Sequence, residues 1–153
     1  YERFSGAIQK SSVKLAFDVL FYTRMWSGEL LALTPAEILP SKRIDINKNY
    51  ARVKREELFL KPKMPKAKRC ISIPGFLYKD IQAYAAKLYE IEKGDRIFYF
   101  TKSALDKKMK RNAGKTGLPP IRIHDLRHSH TTFFDYISFS KNFHNILSDS
   151  NLL

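Results

Sequence analysis

The spacing of apolar positions changes twice along the 153 residues. Between Ser11 and Arg24, Val13, Phe17, Leu20 and Phe21, with Ala16 beside them, recur at helical intervals and predict a helix with one apolar face. Ser11 or Ser12 stands where its cap belongs. A second short helix is expected over Ser27–Leu33, and Thr34-Pro35 opens a turn or a new helical start. From Arg43 to Pro74 the period becomes two. Ile44 and Ile46 alternate with Asp45 and Asn47, Leu58 and Leu60 flank Phe59, and Ile71 and Ile73 flank Ser72. Three short antiparallel strands follow, joined by turns near Lys54-Arg55 and across Lys61–Lys68. Pro62 and Pro65 exclude a central strand or a helix interior from the second connection. A long amphipathic helix then carries Leu77, Ile81, Tyr84, Leu88 and Ile91 on one face and stops at Gly94. After the short apolar run Arg96–Phe100 comes a helix over Ser103–Asn112, with Leu105 and Met109 on one side. Gly114–Pro120 is turn-rich, and a last helix is expected from His124 to about Tyr136. Beyond that the pattern is weak, and Ser148–Leu153 reads as frayed. The expected fold is α+β, mainly α, with a small three-stranded antiparallel sheet at one edge, all in one domain over residues 1–153.

Charge narrows the partner. Lys and Arg number 28 against 15 Asp and Glu, a formal net charge of +13 and a pI near 9.9. A compact domain with that excess attracts polyanions, and duplex DNA or another nucleic acid is the first expectation. The cations are spread over strands, turns and helices instead of one amphipathic helix, which argues against a membrane surface. No apolar run approaches the roughly 18 residues a span requires. Cys70 is the single cysteine, so no internal disulfide forms and a reducing compartment fits. Residues 1–10 do not read as a signal peptide, and a cytoplasmic protein is expected.

The chemistry concentrates in Ile121-Arg122-Ile123-His124-Asp125-Leu126-Arg127-His128-Ser129-His130. On a helix His124 and Arg127 are three apart and share a face, an arrangement suited to clamping an anionic phosphoryl group. A competing reading is a zinc-dependent hydrolase built on His124, His128 and His130, since His124 and His128 have the spacing of paired zinc ligands. Against it, Asp125 sits where that motif wants a glutamate. No metal and no cofactor is expected.

The string His124-Asp125-Leu126-Arg127-His128-Ser129-His130, preceded by Ile121-Arg122-Ile123, resembles the second box of the tyrosine recombinases, the family of phage and transposon integrases. Residues 15–23, followed by Gly28-Glu29-Leu30-Leu31-Ala32-Leu33-Thr34, resemble its first box. Residues 62–69, followed by Ile71 and Pro74, resemble the hairpin that carries its catalytic lysine. The likeness runs over about residues 1–135. It implies a mainly helical DNA strand-exchange domain in which a tyrosine attacks the scissile phosphate, giving a 3′-phosphotyrosine and a free 5′-hydroxyl without a metal. By the same resemblance Arg127 holds the non-bridging oxygens, His124 takes a proton-transfer and phosphate-binding role, and Lys63 protonates the leaving 5′-oxygen. His144 faintly matches a third box. Lys61, Lys66, Lys68, Arg69, Lys107, Lys108 and Arg111 are the expected DNA-binding residues. The resemblance also implies tetramers on paired DNA sites and a separate core-binding domain N-terminal to these residues.

Two departures qualify the match. The first box normally reads Thr-Gly-x-Arg-x-Gly-Glu, but residues 23–29 place Arg24 at the glycine and Trp26 at the arginine. Tryptophan can make no forked guanidinium contact, so Arg24 is the only nearby substitute, and Glu29 is expected to be structural. No tyrosine follows His144, and Tyr136 falls where core is expected, so no nucleophile is assigned. The tail reads as truncated or altered after about residue 135. Recombination through a phosphotyrosine is therefore expected of the family and not of this chain alone. The alternative is a non-catalytic duplex DNA-binding module.

Overall fold

The computed structural model describes residues 1–61 and 68–128. Its helices are α1 (Glu2–Gly6), α2 (Ser11–Thr23), α3 (Ser27–Ala32), α4 (Gly75–Ala85) and α5 (Lys102–Lys115), and residues 123–128 are again helical. Its strands are β1 (Ile38–Leu39), β2 (Arg43–Ile46), β3 (Asn49–Val53), β4 (Glu56–Leu60) and β5 (Arg69–Ser72). A mainly helical domain with a small antiparallel sheet is the observed class.

Helix α2 is the central element. Ala16, Phe17 and Val19 are fully buried, and Val13, Leu15, Leu20 and Phe21 nearly so. The expected single apolar face is thus too narrow: α2 is covered on most sides, by α1, α3 and α4. Its cap also differs from expectation. Lys10 occupies the N-cap without a side-chain bond, and Ser12 is buried. At its other end Arg24 turns the chain in the left-handed region, φ 56°, and its N–H donates to the Leu20 carbonyl at 3.1 Å.

The sheet is where the sequence reading needs most correction. A three-stranded sheet is present, but its order is β1-β2-β5, and the Leu58–Leu60 strand is not part of it. β4 pairs instead with β3, a strand the alternation did not reveal, in a separate two-stranded hairpin whose register sets Val53 opposite Glu56. The two-residue turn Lys54-Arg55 falls where expected, with both residues at positive φ, 47° and 72°. β5 runs antiparallel to β2, Ile44 facing Ile71. β4 and β5 therefore belong to different sheets and do not pair as a hairpin.

Helix α4 ends at Ala85, not at Gly94. Past it the chain bends, Glu90 adopts φ 48°, and Leu88 and Ile91 reach the core from a turn. Tyr84 stacks on Phe98 at 5.9 Å, which ties the end of α4 to the buried pair Ile97 and Phe98. The Ile97 N–H donates to the Leu33 carbonyl at 2.9 Å, so this extended run lies along the exit of α3. Helix α5 is longer than expected, and Leu105, Met109 and Ala113 seal its inner side. Leu126, 4% exposed, anchors the helical residues 123–128 in the same core. Among the described residues no helix is long and apolar enough to cross a membrane.

Candidate nucleic-acid interface

The α2–α3 junction and residues 121–128 meet around Trp26. Its indole, 52% exposed, stacks on His124 with ring centroids 5.4 Å apart and planes 27° apart. The Arg127 guanidinium lies 4.6 Å from the same indole centroid. The residue at the position of the resembled family's arginine therefore contacts both of the other candidate clamps. A cation–π contact of this kind is worth about 0.5–1 kcal/mol where water still reaches it. It orients Arg127 but supplies no second guanidinium. His128 adds an edge-on ring, its Nε2 3.2 Å from Nε2 of His124.

Glu29 fixes this corner from below, in the structural role expected of it. Its Oε2 accepts the Trp26 backbone N–H at 2.7 Å, which holds the start of α3. The indole has no acceptor to return the bond, so the cap is one-sided. The same carboxylate takes Arg69 in a forked pair, Nη1 to Oε1 at 2.8 Å and Nη2 to Oε2 at 2.7 Å. Arg69, expected to bind DNA, is thus committed to a structural pair that fastens β5 to α3. Burial together with the nearby Arg69 and Arg24 lowers the Arg127 pKa, and Glu29 partly offsets this. Arg69 and Arg127 share the field of one carboxylate, and Arg24 adds its own to Arg127 from an exposed position, which leaves a local excess of positive charge.

Gly28 explains how tightly this corner closes. A Cβ there would overlap the Asn49 amide and come within 2.9 Å of the Tyr50 carbonyl oxygen. Helix α3 lies directly against β3, and only glycine permits it.

At residues 121–128, Asp125 accepts the Arg122 backbone N–H at 2.7 Å, closing the turn that starts the helix. That backbone bond, with the Arg122 side chain, holds the Asp125 carboxyl below its usual range. A cleft of about 640 Å³ opens between these residues and α5. His124, Arg127, Arg122 and Trp26 line one wall, and Lys102 and Lys110 of α5 face them, with Asp106 the single carboxylate. The helical rule could have found Lys102 and Lys110, since they share the Asp106 and Met109 side of α5. The sequence reading chose Lys107, Lys108 and Arg111 instead. Lys108 and Arg111 line a different, shallower cleft of about 170 Å³ against Ile8 and Val13.

Lys61 and Lys68 are exposed. Lys63, Lys66, His130, Tyr136 and His144 lie outside the described residues, so the expected meeting of Lys63 with His124 and Arg127 is not addressed by the geometry. Among the described residues no three His, Cys, Asp or Glu side chains gather as a metal site.

No protein-family model matches the chain. An integrase of Mycobacterium phage L5 is 28% identical over 131 residues, 78% of this chain and 35% of that protein. An integrase of Mycobacterium phage FRAT1 is 26% identical over 125 residues, 74% of this chain and 38% of that protein. Among solved structures, the Tn1549 transposon integrase in complex with transposon right end DNA superposes with a TM-score of 0.73 at 17% identity. It covers 84% of this chain and 49% of its own. XerA recombinase superposes with a TM-score of 0.67 at 20% identity over 87% of this chain and 46% of its own. The chain spans little more than a third of the curated relatives it matches and about half of the solved ones.

Proposed function

We propose that these 153 residues are a tyrosine-recombinase catalytic domain that grips one backbone phosphate of duplex DNA for cutting and rejoining, a reading supported by the likeness to phage integrases and to the Tn1549 integrase fold. The observation that carries this is the convergence of His124 and Arg127 on Trp26 at the mouth of a cation-lined cleft. Arg127 carries a forked guanidinium of the kind that holds two non-bridging oxygens. His124 stacks on the same indole and lines the same cleft. In the full reaction a tyrosine oxygen bonds to phosphorus, the bond to the 5′-oxygen breaks, and that oxygen leaves with a proton. Lys63 is our candidate donor of that proton.

The 153 residues alone hold DNA without cutting it. Trp26 replaces a charged clamp, and removing one such group typically costs about 10²–10³ in rate. No residue after His144 is a tyrosine. Duplex DNA is the proposed partner, and assembly as tetramers on paired sites extends from the family.

The test is a nicked suicide duplex incubated with the 153-residue chain, then resolved with and without denaturant. Retention that weakens with salt, reduced in R127A and H124A, with no denaturant-resistant adduct, is the expected result. A covalent adduct would overturn the inactivity. Retention indifferent to R127A and H124A would overturn the phosphate site.

A further inference from the structure

A second groove adjoins the first, and its hairpin side, with Arg52 and Arg55, is not part of the phosphate site described above. It lies between the β3–β4 hairpin and the start of α5, with a volume of about 830 Å³. Arg52 and Arg55 reach it from the hairpin and Lys102 from α5, while Ser27, Asn49 and Ser103 add neutral hydrogen-bonding groups. Among the described residues no carboxylate lines it. The two grooves share Trp26, Ser27 and Lys102, so they form one track bending around the half-exposed indole.

The hairpin tip points the same way. A two-residue turn with both residues at positive φ ordinarily uses Asn-Gly or Asp-Gly. Here Lys54 and Arg55 take those conformations, at a cost side chains with a Cβ usually avoid. The sequence keeps two cations where backbone preference asks for none, and one of them lines the groove. Behind it, the buried Arg96 guanidinium lies 4.2 Å over the Tyr50 ring and is paired with Glu57 at 3.7 Å, so the charge that the groove meets comes from Arg52, Arg55 and Lys102.

We infer that this groove is a second phosphate subsite, which takes the DNA strand on one side of the scissile phosphate through Arg52, Arg55 and Lys102. An extended sugar-phosphate chain suits it better than a free phosphate. The cations are distributed along two connected grooves instead of converging on one point, and Trp26 offers an apolar surface between them. The inference rests on the proposed DNA-binding function and adds a direction to it: the bound strand runs from the His124–Arg127 corner past Trp26 toward the hairpin.

The experiment compares the salt dependence of duplex binding for the chain, for R52Q/R55N/K102Q, and for the charge-matched control K79Q/K87Q/K93Q on exposed positions elsewhere. Asn at position 55 keeps a residue that tolerates the left-handed turn, and thermal melting verifies that each variant is folded. Each lost phosphate contact flattens the slope of log K against log salt by about 0.9. The groove variant is expected to lose about 2–3 from the slope and the control much less. Equal flattening in both variants, or none in the groove variant, would overturn the subsite while leaving the DNA reading intact. Absence of duplex binding by the parent chain would instead remove the functional reading beneath it. A groove variant that melts far below the parent is replaced by R52K/R55K/K102R. That variant retains charge and must restore the parent slope if the contacts are electrostatic.

Discussion

At the residue scale, Arg24 carries two opposed effects in one side chain. Its φ of 56° lies where glycine stands in the resembled first box, and the structure supplies the reason: the last turn of α2 needs a left-handed cap. A side chain with a Cβ pays about 1–2 kcal/mol there. Glycine's greater freedom in the unfolded chain returns about 0.5–1 kcal/mol of that. R24G should therefore stabilise the domain by about 0.5–1 kcal/mol, a rise of roughly 1–4 °C in Tm. It also removes one of the cations whose field reaches Arg127, so duplex affinity at low salt should fall while the melting temperature rises. Thermal melting and a binding titration on the same protein read the two effects separately. A fall in both would mean that Arg24 makes a stabilising contact outweighing its backbone cost.

At the element scale, the site is set by how closely α3 approaches β3. Gly28 allows that approach, Glu29 caps the helix and holds Arg69, and Trp26 is thereby placed over His124. G28A forces the Asn49 amide and the Tyr50 carbonyl to move, and overpacking of this sort costs about 1–3 kcal/mol. The expected result is a lower denaturant midpoint together with a weakened duplex interaction, because the same displacement shifts Trp26. Unchanged stability would show that the hairpin yields freely, and that α3 and β3 do not fix each other. The helices were largely legible in the sequence because Val13, Phe17, Leu20 and Leu105, Met109 keep helical spacing. The sheet was less so. Asn49–Val53 alternates weakly, with Arg52 and Val53 both exposed, and strand pairing depends on partners far away in the chain. The string around His124 and Arg127 was legible as a candidate clamp, and its contact with Trp26 was not. Nothing in residues 23–29 says that an indole in the arginine's place will lie against the two remaining clamps. Lys102 is the first residue of α5, one before the Ser103 start that the spacing predicts, and the cleft it faces is formed only when residues 121–128 pack opposite it.

At the scale of the whole molecule, the net charge is +13, and the cations of α5 itself are distributed on two of its sides. Lys102 and Lys110 face the His124–Arg127 cleft, whereas Lys108, Arg111 and Lys115 face Lys10 across the shallower one. Both sides attract a polyanion, but among the described residues the first sets an imidazole beside a guanidinium and the second carries cations with no imidazole among them. Binding linked to folding gives a measure that does not depend on cutting. Duplex present at one hundred times Kd stabilises the native state by about 2.7 kcal/mol. For a chain of this size that corresponds to a rise in Tm of roughly 5–11 °C. The shift should shrink steeply between 50 and about 200 mM salt, because each neutralised phosphate contributes a slope of about 0.9 to log K. R127A should reduce the shift more than K108Q/R111Q/K115Q does at moderate salt, where long-range attraction is screened within about 8–10 Å and contacts at the cleft persist. The reverse order would place the duplex on the other flank of α5 and separate DNA binding from the His124–Arg127 corner.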